Sequence, residues 1–210
     1  MNKGNFNTVA FIYDKLAGLV FGRSIIYAQV CHLRAVQPGS HILIVGGGTG
    51  WILEELDQLK MALAVTYVEP SSAMICRAMK RQPFKYIHVD FISAGYDGVS
   101  AGKEYDILIT NFFLDLFKEE HLDRVLKGLY TLLKPNGLWL VTDFVNTDKY
   151  WQKALVRAMY VFFRLTTQIE ADCLQDYATK LVAMKMSKAS ERQFYHGMIK
   201  SWLFVKPLTP

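Results

Sequence analysis

Apolar and polar positions along this chain follow two rhythms that succeed one another repeatedly. Short apolar or β-branched runs at His41–Val45, Ala64–Val68, Tyr86–Val89, Asp106–Thr110 and Leu138–Thr142 have the character of parallel strands buried on both faces. Between them lie segments of helical period: Trp51–Lys60, Ala73–Arg81 with Ser71 or Ser72 as its cap, and Glu119–Leu133. Turn signals separate the elements, with Pro38-Gly39 ahead of the first strand and Lys134-Pro135-Asn136-Gly137 ahead of the fifth. The repeated βα order predicts an α/β fold built on a parallel sheet with helices on both faces. The two ends of the chain differ from this middle. Val9–Val36 reads as helical, interrupted near Gly18 and Gly22, with Val9, Ile12, Leu16, Leu19 and Val20 on one side. After the fifth strand come a long aromatic-rich helix, Tyr150–Leu165, and a second helix, Leu174–Ala183. Gln193–Tyr195 and Met198–Val205 then alternate about His196-Gly197 like an antiparallel hairpin.

Composition narrows the class. The chain has 210 residues, half of them apolar (51%) and a fifth charged (20%), which is globular rather than disordered. The start, Met1 to Thr8, is polar and lacks the apolar region of a signal peptide. The longest apolar stretch, Ala154–Leu165, is interrupted by Arg157 and Arg164 and is too short to span a membrane. Cys31, Cys76 and Cys173 are odd in number and widely spaced, and the histidines show no ligand spacing. A cytoplasmic protein without a metal is the expectation. The formal charge is +5, and through Thr179 the chain holds 18 basic and 18 acidic residues. The surplus therefore sits in Lys180, Lys185, Lys188, Arg192, Lys200 and Lys206 against Glu191. Such a segment attracts an anionic partner or membrane surface, or else is a solvated edge hairpin guarded by lysines; the second reading is favoured.

The chemistry is carried by Ile42-Leu43-Ile44-Val45-Gly46-Gly47-Gly48-Thr49-Gly50-Trp51. A strand that runs into a glycine turn and then a helix lets an adenosine ligand approach the backbone closely and offers it free N–H groups. Spacing restricts the ligand. No register from Gly46, Gly47 or Gly48 satisfies the dinucleotide pattern of three glycines, and the Lys-Ser/Thr of a phosphate loop is missing. The alternating set Gly46, Gly48, Gly50 does fit.

This turn resembles the first motif of the class I S-adenosylmethionine-dependent methyltransferases. Glu69 ends the second strand, 19 residues beyond Gly50, where that family holds the ribose hydroxyls with an acid. Asp90-Phe91 ends the predicted third strand, where the family contacts the adenine. Leu132–Leu140 resembles its turn into the fifth strand, with Asn136 in place of a glycine, and Phe11–Leu16 resembles a stretch preceding the core in its quinone and lipid branch. The resemblance implies S-adenosylmethionine as cofactor, held by Tyr13, Gly46, Gly47, Gly48, Thr49, Gly50, Glu69, Pro70, Ser71, Met74, Asp90, Phe91 and Asn111. It also implies a Rossmann-like seven-stranded, mostly parallel sheet with a C-terminal antiparallel hairpin. The chain would be one domain: a helical lid over 1–36, a cofactor-binding core over 37–145, a helical cover over 146–183 and a hairpin over 184–210. Ile44 departs from the family, which often has an acid there as a link to the cofactor's ammonium.

The acceptor side is less determined. Thr110-Asn111-Phe112-Phe113 lacks the prolines of the base- and glutamine-methylating relatives, so nucleic acid is not an expected substrate. Phe11, Phe21, Tyr27, Tyr150, Trp151, Met159, Tyr160, Phe162 and Phe163 either line a site for an apolar or aromatic small molecule or simply pack as helix faces. Peripheral contact with a membrane is compatible with either. Asp115, His121 and Asp143 are candidate general bases, and no one of them is singled out. A non-catalytic S-adenosyl-ligand binding module is the alternative to an enzyme.

Overall fold

A computed structural model describes residues 20–99, 102–166, 171 and 173–208. Its sheet has seven strands: β1 (His41–Val45), β2 (Leu63–Val68), β3 (Ile87–Ile92), β4 (Tyr105–Asn111), β5 (Leu133–Phe144), β6 (Ser187–Phe194) and β7 (Ile199–Val205). They lie in the order β3-β2-β1-β4-β5-β7-β6. The first five are parallel, and β7 runs antiparallel to both β5 and β6. The expected sheet and hairpin are therefore found. The helices are α1 (Ser24–Val30), α2 (Trp51–Gln58), α3 (Ser72–Met79), α4 (Glu119–Thr131), α5 (Tyr150–Thr166) and α6 (Tyr177–Ala183).

β1 shows why the sheet is covered twice. Ile42 and Ile44 point into a core with Leu53 and Leu56 of α2 and Ala78 of α3. Leu43 and Val45 point into the opposite core with Leu122, Val125, Leu126 and Leu129 of α4. The α4 positions recur at three and four residues, one face of a helix, and full burial of each apolar side chain contributes roughly 1.5–3 kcal/mol. A third, smaller cluster joins Phe21 and Ala28 to Phe144, Leu174, Met198 and Ile199. It seats α1 against the end of β5, where Thr142 Oγ1 donates to the Ala28 carbonyl at 3.2 Å.

From β1 the chain moves outward through β2 and β3, then returns to β4 on the other side of β1. That reversal opens a crevice at the carboxyl ends of β1 and β4.

Three expectations change. β3 does not end at Val89; it runs on through Asp90 to Ile92, whose carbonyl accepts the Glu69 N–H at 3.1 Å. β6 begins at Ser187, earlier than its weak alternation suggested, as the outer edge of the sheet. The Lys134–Gly137 turn lies inside β5 as an interruption of its pairing: Leu133 pairs with Tyr105, and the next partners are Leu138 and Ile107. Tyr13 and most of the expected N-terminal helix lie outside the described residues.

The basic surplus is largely spoken for. Lys180 pairs with Glu119 and Asp123, Lys188 and Lys200 pair with Glu191, and Lys206 donates to the Tyr130 and Leu133 carbonyls. These contacts favour the guarded edge hairpin over a docking patch. Among the described residues, no helix is long and apolar enough to cross a membrane.

Asn136 sits at φ +59 in the interruption of β5. A β-branched side chain is strained there, so Asn136→Val is expected to lose about 1–2 kcal/mol in urea unfolding while Asn136→Gly loses little.

Candidate active site

The glycine turn leaves β1 with Gly46, Gly48 and Gly50 at φ +68, +64 and +78. Three of its positions are also sterically closed, Gly50 by Ala78 at 2.6 Å and two by aromatic rings. A Cβ on Gly47 would lie 2.2 Å from the Tyr67 ring, and one on Gly46 would lie 2.5 Å from the Phe113 ring. Gly48 is different, with nothing within 4 Å of a Cβ. The turn is thus backed by aromatic rings and open on its outer side, and Gly46 to Thr49 are half-buried rather than covered.

Polar side chains hold this shape. Glu69, buried at the end of β2, accepts from the Gly48 N–H at 3.0 Å with one oxygen and from the Ser71 N–H at 2.9 Å with the other. Burial pushes its carboxyl above the usual range, and the Ser71 and Gly48 donors pull against that. Each such charge-assisted bond contributes roughly 1.5–3 kcal/mol. Each oxygen also keeps a lone pair for a further donor. The Tyr67 hydroxyl donates to the Gly48 carbonyl at 2.8 Å, and Arg81 Nε donates to the Thr49 carbonyl at 2.7 Å. Tyr67, Arg81 and Phe113 were not among the expected site residues. A tyrosine inside an otherwise apolar parallel strand was the available signal for the first, since its buried hydroxyl needs a partner.

The other expected residues divide. Ser71 caps α3, accepting from the Met74 N–H at 3.4 Å, so Pro70, Ser71 and Met74 line up beside Glu69. Asn111 is the last residue of β4, and its Oδ1 is buried without a partner. Phe91 faces the Tyr67 ring at 5.4 Å. Asp90 stands in mid-strand, exposed, with His88 Nε2 at 3.3 Å; it is not at the strand end where the adenine contact was expected. Ile44 is buried in the core with Ile52 and Tyr67 and offers the crevice no charge.

Next to the glycine turn, beyond β4, two of the three candidate bases converge. Asp143 is fully buried near the end of β5 and accepts from the Leu114 and Phe144 N–H groups, each at 2.9 Å, and from the Asp115 N–H. Asp115 has a buried Oδ1 with no partner. Burial pushes Asp115 up to about 7, and burial together with the Asp115 charge pushes Asp143 well above the usual carboxylate range. Burial, then the Asp143 and Asp115 carboxyls, then Tyr160 raise the Tyr177 hydroxyl beyond the ordinary phenol range, so it stays neutral. Asp115 lines a small cleft with Leu116, Phe144, Val156, Met159, Tyr160 and Leu174. His121 is elsewhere, on α4 against Tyr96 and Phe117.

Of the aromatic stripe, Tyr160 and Met159 reach this cleft and Phe21 is buried against Phe144 and Tyr195. Tyr27, Tyr150 and Trp151 are exposed instead. Phe11 and the side chains of Phe162 and Phe163 lie outside the described residues. Among the described residues, no group of three or more His, Cys, Asp or Glu side chains could hold a metal ion.

This fold has counterparts among known proteins. A family model described as "Methyltransferase domain" matches residues 42–137. A malonyl-[acyl-carrier protein] O-methyltransferase from Priestia megaterium is 33% identical over 146 residues, 69% of this chain and 51% of the relative. A ubiquinone biosynthesis O-methyltransferase from Bradyrhizobium diazoefficiens is 28% identical over 126 residues, 59% of this chain and 47% of the relative. The chain spans about half the length of the curated relatives it matches. Among solved structures, the DhpI–SAH complex superposes with a TM-score of 0.70 at 14% identity, covering 99% of this chain and 96% of DhpI.

Gly47→Ala forces the Tyr67 ring to move and is expected to lose about 1–3 kcal/mol in urea unfolding. Gly48→Ala meets only backbone strain and should lose about 1 kcal/mol.

Proposed function

Since the chain belongs to the class I S-adenosylmethionine-dependent methyltransferases, we propose that it transfers a methyl group to a small apolar or aromatic acceptor held beneath α5. The reading is carried by the Glu69 carboxylate, which braces the glycine turn through Gly48 and still has lone pairs directed to further donors. A ribose diol supplies two such donors. The half-buried Gly46–Thr49 backbone and the open side of Gly48 leave room for close approach of a ligand, and Pro70, Ser71 and Met74 adjoin Glu69 on the adenosine side. Asn111 Oδ1, a buried acceptor lacking a partner, is available to the cofactor's ammonium where Ile44 gives none.

S-adenosylmethionine, when bound, supplies an electrophilic methyl group on a sulfonium leaving group. The residues of the chain do the rest by placement. Glu69, beside β2, would hold the adenosine end, and Asn111, at the end of β4, would hold the other. Phe113 supports Gly46 there, and Phe144, Val156, Met159 and Leu174 give the adjoining narrow cleft its apolar wall. The named relatives that act on an acyl-carrier-bound malonyl group or in ubiquinone biosynthesis fit a small acceptor as a class.

Calorimetry with S-adenosylhomocysteine and with NAD, plus release of S-adenosylhomocysteine from S-adenosylmethionine over a panel of acceptors, tests this. Binding of S-adenosylhomocysteine alone, with turnover on an apolar acceptor, is expected. Tighter binding of NAD overturns the cofactor, and binding without turnover on any acceptor class makes the chain a binding module. Glu69→Gln should weaken S-adenosylhomocysteine at least about tenfold, by loss of charge-assisted bonds. Asp90→Asn should stay within about twofold, because Asp90 is exposed in mid-strand beside His88.

A further inference from the structure

The carboxyl ends of β4 and β5 bring two acids together in an apolar setting, and this costs stability unless something uses it. Their surroundings are unequal. Asp143 receives three backbone N–H groups, from Leu114, Asp115 and Phe144, so its charged form is the better satisfied. Asp115 has an oxygen that none of the described residues satisfies, and it lines the cleft walled by Phe144, Val156, Met159, Tyr160 and Leu174. Among the described residues, the titratable groups facing it are Asp143 from β5, Tyr160 from α5 and Tyr177 from α6, and the Tyr177 hydroxyl stays neutral. Among the described residues lining the cleft there is no cation.

We infer that Asp115 is the general base of this site and that the acceptor presents to it an uncharged, weakly acidic hydroxyl of the phenol or enol type on an apolar body. The inference rests on the methyl-transfer reading and adds the acceptor's chemistry to it. A bare carboxylate oxygen in an apolar wall accepts a hydrogen bond from a neutral O–H. An acceptor that already bears a carboxylate is repelled by the pair, and an ammonium is held in its protonated, non-nucleophilic form. The proton leaving the acceptor oxygen goes to Asp115 Oδ1. The acceptor oxygen's electron pair forms the new bond to the methyl carbon, and the pair from the broken carbon–sulfur bond stays on sulfur. Asp143 is the positioning residue: its bonds to the Leu114 and Asp115 N–H groups fix the turn that carries the base.

The pair titrates as a unit. A carboxyl held protonated in the folded chain and ionised when unfolded makes the unfolded state the poorer binder of protons. Stability from this source is present at low pH and is lost as pH rises from the ordinary carboxylate range toward about 7, the value to which Asp115 is pushed.

The test uses the full chain labelled with 13C at aspartate Cγ. One carboxyl resonance should titrate near 7 and be missing from Asp115→Asn, and the variant's melting temperature should exceed that of the parent at about pH 8. With S-adenosylhomocysteine saturating, 4-propylphenol should bind at least about tenfold more tightly than 4-propylbenzoate, and with S-adenosylmethionine the phenol should be methylated while 4-propylbenzylamine, held as its ammonium, is not. Asp115→Asn should narrow the phenol–benzoate gap to about threefold or less. Tighter binding of the benzoate, or faster methylation of the benzylamine than of the phenol, overturns the acceptor class. If the resonance lost in Asp115→Asn titrates in the ordinary carboxylate range, or none titrates near 7 in the parent, the base is overturned. Failure of S-adenosylhomocysteine to bind while the Asp115 titration is present overturns the cofactor reading instead.

Discussion

Glu69 ties the turn after β1 to the turn after β2 by accepting one N–H from each, at Gly48 and Ser71. Much of the site's shape follows from this link. A run of glycines has no side chains with which to hold itself, and its backbone entropy favours many other conformations. Here the conformation is imposed from outside: the carboxylate grips Gly48 N–H, Tyr67 grips the same residue's carbonyl and fills the space a Gly47 side chain would need, and Arg81 holds Thr49. The turn is stiff where it is backed and bare where a ligand approaches. Tyr67 lies on β2 and Glu69 directly follows it, while Arg81 stands just beyond α3, so the turn is held from a strand and from a helix end.

The sequence made the central layers legible because their signals are local. Strand β1 runs from His41 to Val45 as read, and the cap at Ser71 and the left-handed Asn136 follow from residue chemistry alone. What was misread depended on neighbours. Asp90 looks like a terminus, yet β3 is an edge strand whose outer face meets water, so a carboxylate is tolerated in its middle beside His88. The polar stretch Ser187–Arg192 has little strand character and is held by pairing to β7 rather than by burial. The Pro-Asn-Gly signal was read as closing a helix before a strand, but the strand has already begun at Leu133. In the site, Gly46–Gly50 and Glu69 were readable because spacing encodes them. The meeting of Asp115 with Asp143 was not, since it is created by the parallel pairing of β4 with β5 and by the turn at Leu114–Leu116.

The two halves of the crevice are built on opposite principles. On the cofactor side every buried polar atom of Glu69 is matched, and the result is a braced surface. On the acceptor side one carboxyl oxygen is left bare among Phe144, Val156, Met159 and Leu174, next to a second acid. An unsatisfied buried acceptor costs roughly 1–3 kcal/mol. Such a cost is common where a protein needs a group poised to take a proton near neutral pH. The exposed Tyr27, Tyr150 and Trp151 show that the apolar helices around the cleft are not uniformly directed into it. The cleft's apolar wall therefore comes from a short list of side chains, Val156, Met159 and Tyr160 of α5 with Phe144 and Leu174.

Deuterium exchange of the full chain with and without S-adenosylhomocysteine tests the central assignment most directly, because it reports where a ligand orders the backbone. Added protection at 46–53 and at 69–74, with 187–205 unchanged, is the expected result. Unchanged exchange at 46–53 under saturating ligand, or protection confined to other segments, would contradict the placement of the cofactor on the turn that Glu69 braces.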